Sequence, residues 1–264
     1  MKKRLPRNTS RRSGKPGRVS ADRVPPKEDR RRPSFPRELS ILYEDDAVVV
    51  LDKPAGLLAV PIKGSDTSSA LSLLAAKLKP RKQRALIVHR IDRFASGALL
   101  FAKTSRDRNV LVRQFLDHTP KREYLAVLRG HLAAEAGTLV HYFRREGFHQ
   151  ELRTARDPKA ARAELRYSVE RAFADASLVR VELVTGLQNQ IRAQFYAIGH
   201  PVIGDRKYHR PESSEPLIDR VALHAAYLRF IHPRSGESIS IDCKAPPDLQ
   251  HLIRKLSRSS RGGR

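Results

Sequence analysis

The stretch that most constrains this chain runs over residues 85–104, ALIVHRIDRFASGALLFAKT. Residues 86–88 and 98–102 are short apolar runs rich in branched or aromatic side chains, which predicts two buried strands. Between them, His89-Arg90-Ile91-Asp92-Arg93 places a carboxylate between two arginines. A carboxylate at the end of a core strand is held by the sheet, and nearby cations favour its ionised form. Asp92 is therefore a candidate nucleophile or base.

The chain also carries a large excess of positive charge. Its 264 residues include 52 Lys and Arg against 28 Asp and Glu, a formal net charge of +24. Polyanions are the natural partners of such a chain. Because the basic segments are rich in Pro, Gly and Ser and lack an apolar face, nucleic acid is favoured over a membrane surface. DNA is the weaker alternative, since no recognition-helix or zinc-finger pattern occurs.

Several other classes do not fit the sequence. No window approaches about 18 consecutive apolar residues, so no membrane span is predicted. The amino terminus lacks the apolar core of a secretory signal, and a cytoplasmic location is expected. The single cysteine, Cys243, excludes an intramolecular disulfide and is expected to be an inert, partly buried thiol. His200, His209 and His224 lack the spacing of metal ligands, so no metal site is expected.

Composition divides the chain into a body and two tails. Residues 1–39 contain 14 Lys and Arg, 4 Asp and Glu and 6 Pro, with few apolar side chains to offset the entropy lost on folding. This segment is predicted to be a disordered basic tail, either a solubilising extension or a nonspecific tether for RNA. Residues 40–256 are predicted to form the folded domain, and residues 257–264 a second basic tail.

Turn residues and apolar patterns predict more strands than helices. Besides the two central strands, strands are predicted at 41–43, 48–51, 123–128, 138–143, 163–169, 178–184, 223–230 and 238–241. Helices are predicted at 66–79, after Thr104, at 190–198 and at 248–256, whereas 144–159 is expected to be irregular. Because strands and helices do not alternate regularly, the fold class is predicted to be α+β rather than a doubly wound sheet.

The central stretch resembles the catalytic block of the RluA-type pseudouridine synthases, which isomerise uridine in ribosomal or transfer RNA. His-Arg-Ile-Asp-Arg at 89–93 is followed, as in that block, by Ser96-Gly97 and by LLFAKT at 99–104. Four other segments occur in the family's order: VVVLDKPAGL at 48–57, REYLAVLRG at 122–130, TGLQNQIRAQFYAIGHPVIGD at 185–205 and LHAAYLRFIHP at 223–233. The resemblance spans residues 39–233, and five ordered blocks are more specific than any one of them.

The resemblance implies a mixed, mostly antiparallel sheet in two lobes, with flanking helices and a catalytic cleft. It implies a monomeric enzyme that flips a uridine of ribosomal or transfer RNA out of its stack and rearranges the glycosidic bond. It implies that Asp92 is the essential carboxylate and that Arg192 is the cation that pairs with it. Tyr124 matches the family's tyrosine, whose ring packs on the flipped base. No cofactor is expected, because the isomerisation needs no redox change or group donor.

Each of these roles has a structural alternative. Asp92 could form an ordinary ion pair with Arg90 or Arg93, Tyr124 could be a strand aromatic, and Arg192 could lie on a helix surface.

Contacts with RNA are expected from four other residues. Arg90 matches the arginine that the family uses in base flipping. Arg93, His89 and Lys53 are further candidates, the alternatives being a structural histidine for His89 and an ordinary turn lysine for Lys53.

The sequence departs from the family's pattern at two places. The usual Thr-Gly-Arg-Thr-His-Gln-Ile-Arg reads TGLQNQIR at 185–192, so that Leu187 and Asn189 replace an arginine and a histidine. Phe94 and Ala95 replace a commonly polar pair. Because the Asp, Tyr and Arg are retained, the reaction is expected and the choice of RNA is affected. The alternative is a noncatalytic RNA-binding or ribosome-assembly protein on the same fold.

Removal of residues 1–39 should flatten the salt dependence of RNA binding without changing the modified site. For single-stranded RNA, the slope of log K against log[salt] falls by about 0.7 for each phosphate that the tail no longer neutralises. Binding isotherms of the full and shortened chains over a range of salt concentrations measure this slope. An unchanged slope would show that the tail is inert.

Overall fold

The structure, a computed structural model, describes residues 39–64, 67–147, 149–208 and 217–259. The strands in these ranges are β1 (Ser40–Glu44), β2 (Val48–Lys53), β3 (Leu86–Ile87), β4 (Ser96–Ala102), β5 (Lys121–Arg129), β6 (Ala136–Glu146), β7 (His149–Arg153), β8 (Ala161–Ala172), β9 (Ala176–Leu183), β10 (Leu223–Ile231) and β11 (Ser238–Asp242). The α-helices are α1 (Ala70–Leu78), α2 (Ser105–Leu116), α3 (Gln190–Ala197) and α4 (Pro247–Ser259).

All of these strands join one sheet, in the order β1-β2-β4-β10-β5-β9-β8-β6-β7. Strand β3 pairs with β4 and β11 pairs with β10 beside this path. Among the paired strands of the described residues, β4 and β10 run parallel and the rest run antiparallel. The predicted α+β class and mostly antiparallel sheet are confirmed.

The centre of the sheet is buried on both faces. Strand β4 is buried along its whole length, and its alternate side chains enter two separate core clusters. Leu99 and Phe101 pack with Leu74 of α1, whereas Leu100 packs with Leu111 of α2 on the opposite face. Two-sided burial explains why this strand reads as an unbroken apolar run. Each fully buried leucine contributes about 2 kcal/mol of hydrophobic stabilisation.

The helices begin where side chains can cap them. Helix α2 is capped by Thr104, whose hydroxyl accepts a hydrogen bond from the N–H of Asp107, as its sequence predicts. Helix α1 begins at Ala70, later than the predicted start at residue 66. Its cap is Ser69, which forms a reciprocal capping box with Ser72. The serine pair satisfies donors that would otherwise be left unpaired at the helix start, so it sets the boundary.

The segment predicted to be irregular, 144–159, is partly a strand. Strand β6 continues to Glu146, and β7 (His149–Arg153) pairs back on it in antiparallel register. Because its apolar content is low, hydrophobic periodicity carries no strand signal there. Alternating Arg–Glu pairs such as Arg144 with Glu146 cover the outer surface of this hairpin.

Both predicted boundaries of the folded body move outward. Leu39, assigned to the basic tail, is 4% exposed and packs in the core cluster with Leu51 and Leu57. Helix α4 runs to Ser259, so residues 257–259 are helical rather than part of a frayed tail. A truncation that tests the tail should therefore end at residue 38. The predicted disorder of residues 1–38 and 260–264 lies outside the described residues.

Within the described ranges, no helix combines the length and apolar character needed to cross a membrane.

Gly97 fixes the parallel contact between β4 and β10. Its φ is +114°, and an added Cβ would lie 2.3 Å from the carbonyl oxygen of Ala225. We expect Gly97→Ala to lower the free energy of unfolding by about 3 kcal/mol or more, because the strands must separate and the backbone is strained.

Denaturant unfolding of the two proteins measures this loss, with Gly236→Ala as the matched control. Gly236 also has positive φ, +74°, but no atom of the described residues lies within 4 Å of the added methyl. Strain alone should cost this variant about 1 kcal/mol. Equal losses in the two variants would contradict the steric explanation.

Candidate active site

A cleft of about 670 Å³ opens where the β3–β4 loop, the end of α2, strand β5 and the start of α3 meet. Its volume is typical of a ligand-binding site. Asp92, Tyr124 and Arg192 all line this cleft, although they are far apart in the sequence. Four other arginines line it as well, namely Arg90, Arg122, Arg145 and Arg162. The structure thus brings the three predicted catalytic residues together in basic surroundings.

Arg192 connects the cleft to the protein interior through two carboxylates. Its Nη1 donates to Asp92 Oδ2 at 3.0 Å, while Nε and Nη2 donate to the two oxygens of Asp205 at 2.6 and 2.7 Å. The Asp205 side chain is 1% exposed and that of Asp92 is 20% exposed. Asp205 is therefore the buried anchor, and Asp92 is the carboxylate that faces the cleft.

The sequence interpretation missed Asp205. Asp205 is the last residue of the family-like segment 185–205. The Gly204-Asp205 pair there is the sequence feature that could have indicated it. Asp205 Oδ1 also accepts hydrogen bonds from the backbone N–H groups of Lys207 and Tyr208. These bonds hold the Asp205 carboxylate independently of the guanidinium. The backbone at residues 207–208 therefore helps to set the position of Arg192.

The protonation states of Arg192 and Tyr124 follow from their surroundings. Burial works against the Arg192 cation, but its bonds to Asp205 and Asp92 raise its pKa, so it stays charged. Burial raises the pKa of Tyr124 to about 12, with Asp92 adding to the rise and Arg122 opposing it. The tyrosine is therefore a neutral phenol at neutral pH.

A buried glutamine organises the segment before α3. Gln190 Oε1 accepts from the N–H of Leu187 and the hydroxyl of Thr185, and its Nε2 donates to the Glu164 carbonyl and to Gln194. Four hydrogen bonds from one side chain tie the 185–189 turn to β8. Because Arg192 lies half a turn further along the same helix, Gln190 also fixes the direction in which that helix begins.

The two residues that depart from the family's pattern have definite contacts. Asn189 adopts a left-handed backbone conformation, φ 55°, and its Oδ1 accepts from Arg192 Nη1 at 2.8 Å. Leu187 packs against Phe143 and Ala163. The asparagine is thus part of the hydrogen-bond network of Arg192. The leucine makes an apolar contact at the position where the family pattern has an arginine.

Two of the residues predicted to contact RNA remain exposed. Arg90 lines the cleft with an exposed side chain. Arg93 lies outside the cleft lining; its Nε donates to the Gly56 carbonyl, and its guanidinium lies 5.2 Å above the ring of Phe94.

Phe94 and Ala95, which replace a commonly polar pair of the family, differ in exposure. Phe94 is 48% exposed to solvent, whereas Ala95 is buried.

His89 lines the cleft but is held by its neighbours. Its Nε2 accepts from the N–H of Leu100 at 3.2 Å, and its ring stacks on Phe115 at 4.5 Å. Burial, followed by the charge of Arg122, lowers its pKa to about 3. The imidazole is therefore neutral and cannot contribute a positive charge to RNA binding, which favours the structural alternative.

The prediction that Lys53 contacts RNA is corrected by its burial. Its side chain is 0% exposed, and its Nζ donates to the carbonyls of Pro54, Leu57 and Arg93. Burial lowers its pKa to about 7. Lys53 therefore holds the turn next to Asp92 through the Arg93 carbonyl, and it does not line the cleft. A turn lysine looks exposed in the sequence because nothing local shows that two loops fold over it.

The other singled-out groups lie in structural positions. His224 is bonded to Ser96 and to the Cys243 carbonyl, and His200 to the Arg129 carbonyl. Cys243 is 4% exposed, and burial raises the pKa of its thiol. In the described part of the chain, no three His, Cys, Asp or Glu side chains are grouped as metal ligands.

Comparison with known sequences identifies relatives over most of the chain. The profile of the RNA pseudouridylate synthase family matches residues 47–197. A ribosomal large subunit pseudouridine synthase D from Zymomonas mobilis is 34% identical, covering 84% of this chain and 74% of that protein. An uncharacterized RNA pseudouridine synthase of Bacillus subtilis, YlyB, is 34% identical, covering 85% of this chain and 75% of that protein.

The fold is shared with a solved structure. Human RNA pseudouridylate synthase domain containing 1 superimposes with a TM-score of 0.67 at 25% sequence identity. The match covers 87% of this chain and 97% of the human chain.

We expect Asp205→Asn to lower turnover at least tenfold and stability by about 3 kcal/mol. The change removes one anion from a buried, doubly hydrogen-bonded pair and leaves Arg192 free to turn away from Asp92. Steady-state kinetics and thermal unfolding of the same preparation measure the two effects.

Asp248→Asn is the matched control. Asp248 also accepts two hydrogen bonds from an arginine, Arg220, at 2.6 and 2.9 Å, but neither residue lines the cleft. This variant should lose about 1 kcal/mol of stability and keep normal turnover. A similar loss of turnover in both variants would assign the Asp205 effect to general destabilisation.

Proposed function

The chain belongs to the RNA pseudouridylate synthase family and is an RNA pseudouridine synthase. From this premise we propose that Asp92 is its essential carboxylate and that its substrate is ribosomal RNA of the large subunit. The observation that supports the first proposal best is the 3.0 Å bond from Arg192 to a carboxylate that lines the cleft beside Tyr124. The substrate proposal draws on the Zymomonas mobilis relative, whose name refers to the large ribosomal subunit.

The reaction sets the demands on Asp92. The bond between N1 of uracil and C1′ of ribose breaks, the base turns, and C5 bonds to C1′; the C5 proton is lost and N1 gains one. Atoms and electrons therefore balance without a cofactor. A carboxylate can stabilise the positive character that develops on the sugar, or it can add to or deprotonate the reacting nucleotide.

Arg192 holds that carboxylate in place. Because Nε and Nη2 of the guanidinium are bound to Asp205, Nη1 is the nitrogen that remains to donate to Asp92. A preorganised ion pair costs little reorganisation when the sugar becomes cationic. The partial exposure of the Asp92 side chain, 20%, leaves an oxygen accessible to the nucleotide.

Tyr124 is proposed to receive the flipped base. Its ring lies in the cleft next to Asp92 and is 7% exposed, so a base stacked on it would be shielded from water. Because the phenol is neutral, a role for its hydroxyl in removing the C5 proton requires that it pass its own proton on. Stacking makes no such demand and is the first role that we assign to it.

Arg90 is proposed to assist extrusion of the base. It is an exposed cation on the cleft lining, two residues before Asp92. A side chain at this point can occupy the space that the base leaves in the RNA stack, which lowers the cost of flipping. Arg93, exposed on the neighbouring turn, is proposed to contact the RNA backbone. The enzyme is further proposed to act as a monomer.

The noncatalytic alternative is not favoured by the family membership. It was suggested by Leu187 and Asn189 in place of an arginine and a histidine. Asn189 retains a bond to Arg192, so the catalytic network does not depend on a histidine at that position.

Asp92→Asn should reduce isomerisation to background, a loss of at least about 10³-fold, because the amide cannot act as a nucleophile or base. RNA labelled with tritium at uridine C5 gives a direct assay, since every turnover releases the label. Fragments of large-subunit ribosomal RNA, small-subunit ribosomal RNA and transfer RNA should be compared, and only the first should release tritium.

Asp117→Asn is the control for Asp92→Asn. Asp117 pairs with Arg113 on the exposed end of α2, where its side chain is 45% exposed. This variant should be as active as the unmodified protein. Full activity in Asp92→Asn would refute the role of Asp92. Release from small-subunit or transfer RNA without release from large-subunit RNA would refute the proposed substrate.

A further inference from the structure

Arg122 is a buried cation that lines the catalytic cleft and has no assigned role. It lies on β5, two residues before Tyr124, and is 8% exposed. Adjacent positions on a strand point to opposite faces, so residues two apart share a face. Arg122 and Tyr124 therefore face the same cleft from one strand.

The charge of Arg122 is not balanced by the protein. In the described ranges it forms no ion pair, although it is as deeply buried as Arg192, which is bonded to two carboxylates. Arg220, 7% exposed, also has a carboxylate partner in Asp248. Arg122 is thus the exception among these three buried arginines.

The hydrogen bonds of Arg122 are also poor. Its Nη2 is shared among the carbonyls of Leu183, Val184 and Thr185, each at 3.4 Å. Its Nε is buried without any hydrogen-bond partner in the described structure. A guanidinium has five N–H donors in a planar fork, and three long contacts from one nitrogen leave most of them unused.

The surroundings of Arg122 keep it in this position. Its guanidinium lies 5.7 Å from the ring of Phe115, a cation–π contact on one side. Gly186 makes room on another, since an added Cβ there would lie 2.8 Å from Arg122 Nη1. Burial lowers the pKa of Arg122, yet a guanidinium stays charged in proteins. An unpaired buried charge is costly, so the site favours binding an anion.

We propose that Arg122 binds a backbone phosphate next to the target uridine. This inference rests on the proposed function, because it takes RNA as the molecule in the cleft. Phosphodiesters are the anions of RNA at neutral pH, and a planar guanidinium can bind two of their oxygens at once. A nucleotide turned into the cleft towards Asp92 and Tyr124 brings its own phosphates with it.

RNA with one neutral methylphosphonate tests the contact directly. Placed 5′ or 3′ of the target uridine, one of the two substitutions should weaken binding by the unmodified protein about tenfold, the value of one charge-assisted contact. Arg122→Met should bind unmodified RNA about tenfold more weakly and should not distinguish it from either methylphosphonate RNA. If the methylphosphonates weaken binding by Arg122→Met as much as they weaken binding by the unmodified protein, the proposal is wrong.

Thermal unfolding separates this role from a structural one. Replacing an unpaired buried cation by an apolar side chain of similar length should leave Tm unchanged or raise it. A structural arginine would give the opposite result, a lower Tm with binding reduced only in proportion to unfolding. A marked fall in Tm for Arg122→Met would therefore overturn the proposal.

Arg113→Met is the control, because it removes an equal charge from a side chain that is 76% exposed and paired with Asp117. It should keep its sensitivity to the methylphosphonate. Tritium release by the unmodified protein, abolished in Asp92→Asn, tests the proposed function in the same assay. Release that depends on Asp92 but a methylphosphonate effect that is independent of Arg122 would refute this inference alone.

Discussion

The structure of the site depends on one buried guanidinium that is shared between two carboxylates. Arg192 on α3 joins Asp92 in the β3–β4 loop to Asp205 in the segment that follows the helix. Removing a guanidinium from water is costly, and two anions compensate for it more fully than one. Of the two carboxylates, Asp92 is the one that faces the cleft. Three separate chain segments are therefore held in one geometry by the same electrostatic requirement.

The sheet provides the rigidity that this trio requires. Strand β4 begins four residues after Asp92, is buried on both faces, and runs parallel to β10, with Gly97 allowing the close approach. Lys53 donates hydrogen bonds to three carbonyls and so joins the loop that follows β2 to the β3–β4 loop, which carries Asp92. Neither residue lines the cleft, but both help to determine where Asp92 lies. Support of this kind from packed neighbours is needed because Asp92 lies in a loop between two strands.

The arginines of the cleft differ in how their charges are satisfied, and this difference separates their functions. Arg192 is neutralised by the protein and acts on Asp92. Among the residues that the structure describes, Arg122 is buried and has no carboxylate partner, whereas Arg90 is exposed to solvent at the cleft lining. A basic cleft of this composition attracts polyanions at long range. In our proposal, Arg122 and Arg90 then contact the RNA at short range. Asn189 fits the same scheme, because it adds a neutral acceptor to Arg192 without adding charge.

Residue patterns alone were sufficient for the α+β class and most strand positions, because apolar periodicity is a local signal. The resemblance of the five ordered blocks supplied the three residues that meet in the cleft. Neither was sufficient to show that Asp205 anchors Arg192, that Lys53 is buried, or that 149–153 is a strand. These features depend on which segments become neighbours, and a carboxylate or lysine looks the same in sequence whether it is solvated or enclosed. They became visible only in three dimensions, since burial and pairing arise when distant parts of the sheet come together.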